Sequence, residues 1–126
     1  MREIKFRAWL DDRFIYSDGK KEWIYSTPDG WEYTTEDNSG NGWVVNNVSQ
    51  YTGLKDKNGK EICEGDIIEN NRPIKKVKQT IEWFRGGFML KQKGFFGYSS
   101  IELNDNDSEN YYKIIGNIYE NPTLLN

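Results

Sequence analysis

Residues 50–69 read QYTGLKDKNGKEICEGDIIE, and the way this stretch is read decides the fold. KDKNGK separates two short apolar runs, and Asn58-Gly59 is a strong short-range hairpin signal. Lys57 and Lys60 flank the pair, as an exposed tip requires. Ile62, Ile67 and Ile68 supply core on the return. The stretch also holds Asp56, Glu61, Glu64, Asp66, Glu69 and the chain's single cysteine, Cys63. A site reading would make these acids metal ligands, but calcium-loop spacing such as DxDxDG is absent. The structural reading disperses the acids over an exposed turn and strand, with Glu64 and Asp66 solvated or bonded to backbone amides at a bend near Gly65. Cys63 then is a small, partly buried residue, since a reactive thiolate needs a basic neighbour and it has Ile62 and Glu64. The hairpin reading is preferred.

Working outward, the same grammar recurs. EIKFRAW (3–9) alternates, with Ile4, Phe6 and Ala8 on one side and Glu3, Lys5, Arg7 and Trp9 on the other, the period of a strand. DDR (11–13) turns, FIYS follows, and Asp18-Gly19 suits a turn with positive φ. EWIYS and WEYTT flank the turn TPDG, with Pro28 at its second position and Gly30 closing it. EDNSGNG (36–42) is a loop, and WVVNNVSQYT (43–52) reads as one strand. EICEGDIIE (61–69) is a strand interrupted by a bulge at Gly65. IKKVKQTIEWF (74–84) alternates in part, with Val77, Ile81 and Trp83 on one parity. RGG turns and FMLKQ pairs back. GFFGYSSIEL (94–103) reads as a further strand, NDNDSEN (104–110) as an acidic loop and YYKIIGNIY (111–119) as the last strand. Asn121 followed by Pro122 marks one closing helical turn. No window carries helical periodicity over three turns.

Closely spaced strands predict an all-β protein, a small SH3-like barrel or β-meander with little helix. At 126 residues the chain suits one domain over 1–126, divisible into a meander over 1–48 and a barrel-like half over 49–126. Aromatics at 15%, five tryptophans among them, provide core bulk. The tryptophans Trp9, Trp23, Trp31, Trp43 and Trp83 read as core, with Trp23 and Trp31 expected to be the most exposed.

Composition excludes several function classes. The chain has no histidine, so histidine-based nucleophilic or acid–base catalysis is ruled out and a zinc site is disfavoured. No phosphate-cradling glycine motif occurs. Carboxylate-bound magnesium or calcium, as in a carboxylate-metal hydrolase, stays open to this composition as a minor third class, but catalytic, cofactor and metal residues are expected to be none. The formal charge of −3 offers no global attraction to nucleic acid or anionic membranes. No apolar run spans a membrane, MREIKFRAW lacks a signal-peptide core, and one cysteine makes no internal disulfide; these features fit a cytoplasmic protein. One region departs from the acidic mean. Residues 72–93 carry Arg72, Lys75, Lys76, Lys78, Arg85, Lys91 and Lys93 against Glu82 alone. Such a hairpin, with Trp83, Phe84 and Phe88 inside it, could track a phosphate backbone and stack bases. The plainer reading is edge protection or a protein contact. Arg72, Lys75, Lys76, Lys78 and Arg85 are thus the candidate nucleic-acid or partner contacts.

REIKFRAW at the start, QYTGLKDKNGKEICEGDII in the middle and IIGNIYENPTLL at the end resemble the three hallmarks of the YopX family, in order and over essentially the whole chain. Cys63 stands where relatives commonly carry an aromatic residue, and the acid that follows the first tryptophan is displaced to Asp11. The resemblance implies a small protein encoded by phages and prophages of Gram-positive bacteria, with an all-β, SH3-like fold and no defined activity. The expected function is non-enzymatic, in the bacterial cytoplasm, by protein binding or self-association, with no cofactor and no membrane. The alternative is a nucleic-acid-binding module using residues 72–93.

Overall fold

The computed structural model describes residues 4–37, 43–71, 77–84, 87–92 and 105–124. Eleven strands and one short helix are found there: β1 Phe6–Leu10, β2 Arg13–Tyr16, β3 Glu22–Thr27, β4 Gly30–Thr35, β5 Trp43–Val45, β6 Val48–Lys55, β7 Glu61–Cys63, β8 Asp66–Asn70, β9 Val77–Phe84, β10 Gly87–Gln92, α1 Asp105–Tyr111 and β11 Tyr112–Asn117. The all-β expectation holds. The chain divides into two compact units, Met1–Tyr51 and Thr52–Asn126, with the division inside β6.

In the first unit β1 pairs antiparallel with β2 and with the first half of β6. A three-stranded antiparallel sheet runs in the order β3-β4-β5. The register Ile24↔Tyr33↔Trp43 and Trp31↔Val45 places these residues on one face. That face meets the core of Ala8, Ile15, Ile24, Tyr33 and Val45, with Phe6, Leu10, Trp31 and Val48 packed against it. The alternation expected in β1 has an addition: Arg7, on the supposed polar parity, is buried. Its guanidinium lies 3.8 Å from the Phe14 ring centroid and its Nε donates to Ser49 Oγ at 3.3 Å. A stacked, hydrogen-bonded arginine satisfies its charge without water on every side.

In the second unit four strands form an antiparallel sheet in the order β10-β9-β8-β11. Ile62, Ile68, Ile81, Phe88, Leu90 and Tyr112 make its core, with Ile114 against them. Ile62, Ile67 and Ile68 are fully buried, as their place in the sequence implied.

Several local expectations need correction. Gly19 is not at positive φ; a Cβ there would collide with the Glu22 carbonyl oxygen, so glycine is needed for close approach. WVVNNVSQYT is two strands, because Asn47 at φ +57° breaks the extension. EICEGDIIE is likewise two strands joined by a turn at Glu64-Gly65, with Gly65 at φ +87°. Residues 105–111 are helical. The acidic Asp107 suits the first turn, Asn110 Nδ2 donates to the Asn106 carbonyl at 2.7 Å, and among the described side chains only Ser108 is fully buried. A polar helix anchored by one small residue shows no apolar period, which is why the segment reads as a loop. At the C-terminus Asn121 does not cap forward: its Oδ1 accepts from Asn117 N–H at 3.3 Å, while its carbonyl accepts from Leu124 N–H at 3.1 Å in a turn. The strand expected at 94–103 lies outside the described residues.

None of the five tryptophans is buried. Trp9, Trp23 and Trp31 are half-buried, while Trp43 and Trp83 are 61% and 51% exposed. Isoleucine is instead the commonest residue of the two cores, five of their eleven buried members, as suits a β-branched side chain on a pleated, covered face.

Candidate functional site

Two acids of the middle motif, Asp56 and Asp66, are bonded to backbone amides. Asp56, expected on an exposed turn, is only 2% exposed. Its Oδ1 accepts from Asn58 and Lys60 N–H, both at 2.9 Å, and its Oδ2 accepts from Ile114 N–H at 2.9 Å. Asp56 thus ties the hairpin tip to β11. The tip is a turn closed by Gly59 N–H to Asp56 O at 3.0 Å, with Gly59 at φ +81° and Asn58 outside the left-handed region. Asp66, also buried, accepts from Cys63 N–H at 2.7 Å, and Cys63 is itself buried. Among the described residues no three His, Cys, Asp or Glu side chains gather as metal donors would.

The final motif is likewise held by its own hydrogen bonds and close packing. Asn117 Oδ1 accepts from Tyr119 and Glu120 N–H at 3.0 and 2.8 Å. A Cβ on Gly116 would lie 2.5 Å from Asn121 Oδ1 and 2.7 Å from Leu124 Cδ1, so the closing turn rests on the bare glycine.

Of the candidate contacts in the basic stretch, Arg72, Lys75, Lys76 and Arg85 lie outside the described residues. Lys78 is exposed on β9, and its Nζ donates to the Leu124 carbonyl at 3.2 Å. Around it the charges alternate. Glu69 pairs in register with Lys78 on one side and Lys113 on the other, and Lys91 lies 4.0 Å from Glu82. The described part of this sheet face is therefore mixed in sign.

A different place in the first unit has the shape of a site. The β1–β2 turn, Asp11-Asp12, stands beside Arg13 at the start of β2, with Asp11 held at φ +59°. Arg13 forms a fork on Glu22 of β3, Nε to Oε2 at 3.1 Å and Nη2 to Oε1 at 2.9 Å, while its Nη1 reaches Asp12 Oδ1 at 3.1 Å. Tyr33 OH donates to the same Glu22 Oε1 at 2.9 Å. The Arg13 bond, helped by Tyr33, holds the Glu22 carboxyl below its usual range. Burial first, and the bond to Glu22 second, push the Tyr33 phenol up. The Arg13 guanidinium is held still more firmly charged by Glu22 and Asp12.

Above this network opens a cleft of about 480 Å³, lined by Leu10, Asp11, Asp12, Arg13, Tyr33, Thr35 and Trp43. Trp43 lies 6.4 Å from the Tyr33 ring, centroid to centroid. The next residue, Val44, is 71% exposed on the opposite face of β5, the edge strand of its sheet. Sequence reasoning had Trp43 as core and did not single out Asp11, Asp12, Arg13, Glu22 or Tyr33. Their only signal was local: an acidic turn before an arginine, and a tryptophan directly after a polar loop. What brings them together is the packing of the β1–β2 hairpin against the β3-β4-β5 sheet around a shared core, with the Arg13–Glu22 side chains linking the two.

Among the described residues no helix is long and apolar enough to cross a membrane. No curated protein matches this chain. The chain is similar to a solved structure, the crystal structure of protein EF1440 from Enterococcus faecalis, with 28% identity, a TM-score of 0.63 and 100% of each chain covered. The sequence profile described as YopX protein matches residues 5–126, so that all three motifs traced above fall almost wholly within it, and the chain belongs to the YopX family.

Proposed function

We propose that this protein acts by binding another protein along the β5 edge, and that it catalyses no reaction. The observation that carries the reading is the pair Trp43 and Val44, two adjacent apolar side chains 61% and 71% exposed on an edge strand of three residues. Edge strands normally carry charge or proline to discourage pairing, and large exposed apolar groups there mark contact surfaces. The non-catalytic half of the reading is supported by the two buried carboxylates of the middle motif, Asp56 and Asp66, which are occupied with backbone amides. We place the action in the cytoplasm of a bacterial cell carrying the phage or prophage that such a protein would come from.

The test is capture from an extract of the encoding cell with the full chain as bait, set beside a Trp43→Ala/Val44→Thr variant and a Trp83→Ala control. One partner retained by wild type and control, and lost by the β5 variant, is expected. Capture indifferent to the β5 changes, or a turnover measured with purified protein, would overturn the reading. A second reading, nucleic-acid binding by residues 72–93, is favoured by one observation: Trp83 is half exposed at the hairpin end, 4.9 Å from the Phe88 ring.

A further inference from the structure

The cleft at the β1–β2 turn has a chemical bias that the edge strand alone lacks. Its lining holds two aromatic rings, Trp43 and Tyr33, together with the acidic residues Asp11 and Asp12 of the β1–β2 turn. Arg13, the cation on the lining, is shared between Glu22 and Asp12, so its single charge offsets only one of the three carboxylates and Asp11 keeps its own. The four charged groups, Asp11, Asp12 and Glu22 against Arg13, therefore leave a net charge of −2 on and beneath the cleft. A second hollow that shares Thr35 adds Glu36 and Asp37 against Lys21. An aromatic face next to carboxylates attracts a cation through the ring quadrupole and the charge at once.

We propose that the occupant of this surface is an extended, basic segment of a partner protein, laid along β5 with a lysine or arginine side chain seated between Trp43 and the Asp11-Asp12 carboxylates. The proposal rests on the β5 docking reading above and adds the chemistry of the partner. Strand addition supplies backbone bonds to an edge, and a pocket beside the edge selects one side chain. Charge argues for this occupant over others. A phosphate backbone would meet carboxylates first. A second copy docking face to face would set the same negative cleft against itself, since a two-fold interface pairs a patch with its own image.

The test is an amide chemical-shift titration of the full, isotope-labelled chain with three short blocked peptides: Thr-Val-Lys-Val-Thr-Val, and the same peptide with glutamine or glutamate in place of lysine. The lysine peptide should move the amides of 11–13, 33–35 and 43–45. The glutamine peptide should bind about fivefold more weakly or worse, the order of one exposed ion pair with a cation–π contact. The glutamate peptide should not bind there. Asp11→Asn should narrow the preference for lysine over glutamine, and its unchanged spectrum elsewhere shows that the fold is kept. Equal shifts at β5 from the lysine and glutamine peptides would overturn the basic-segment proposal and leave β5 docking standing. Shifts confined to other strands, or none with any peptide at millimolar concentration, would overturn it too, and the Trp43 capture experiment then decides the docking reading separately. Shifts at 43–45 that depend on protein concentration alone would identify a second copy as the occupant and overturn it.

Discussion

Three residues of the motifs show how one type of position serves different physics. Gly59 stands at φ +81° with open space where a Cβ would be, so its requirement is purely backbone. We predict that Gly59→Val destabilises by about 1–3 kcal/mol while Gly59→Asn is nearly silent, read from denaturation midpoints. A midpoint unmoved by valine would remove the left-handed turn. Gly116 is the opposite case: its backbone is not in the left-handed region, but the closing turn occupies its Cβ position. Gly116→Ala should therefore destabilise, and Leu124→Ala should recover part of the loss, a coupling that a double-mutant cycle measures. Additive effects would show that the contact is not the cause. Asp56 carries the largest expected cost. Asp56→Ala strips the acceptor from three backbone N–H groups at a buried position, and we predict a loss of about 3 kcal/mol or more. A loss under about 1 kcal/mol would mean water replaces the carboxylate.

At the scale of the element, the Arg13–Glu22 fork joins β2 to β3 at the surface. Both side chains are partly exposed, 48% and 34%, so the pair is worth no more than about 1 kcal/mol despite its good geometry. Its pH dependence has a definite sign. Glu22 titrates below its ordinary value of about 4.5 in the folded protein, so its contribution is fully present above that value and is lost as pH falls through the depressed folded value. The melting temperature of wild type should exceed that of Glu22→Gln near neutrality, and the two should converge in acid below pH 4.5. A gap that persists at lower pH would assign the effect to packing against Tyr33. The strands themselves were largely legible. Period-two alternation and turn dipeptides placed the β3–β4 and β9–β10 hairpins and the Asn58-Gly59 tip, because these signals act within a few residues. The α1 helix and the break at Asn47 were not legible, since each depends on a single local conformation that several residue types can adopt.

For the whole molecule, the open question between the two binding readings is one of charge. If residues 72–93 bind nucleic acid, retardation in a mobility assay should fall steeply with salt and disappear in Lys75→Glu/Lys76→Glu. Lys78 is best left intact there, because it holds the Leu124 carbonyl. We predict no retardation of single- or double-stranded DNA or RNA at physiological salt; salt-sensitive binding that the double variant loses would reverse this. The chain's net charge of −3 and the alternating Glu69, Lys78 and Lys113 face favour that outcome. The sequence by itself determined the all-β class, the family, most of the turns and the isoleucines of the second core. These follow from backbone conformations and side-chain periods that are properties of short segments. Only the tertiary structure decided that Asp56 and Asp66 are buried braces, that no tryptophan is buried, and that Asp11, Asp12, Arg13, Tyr33 and Trp43 line one cleft. Burial and proximity of that kind arise when separate hairpins and sheets pack together, and no local pattern specifies which face of a pairing will be covered.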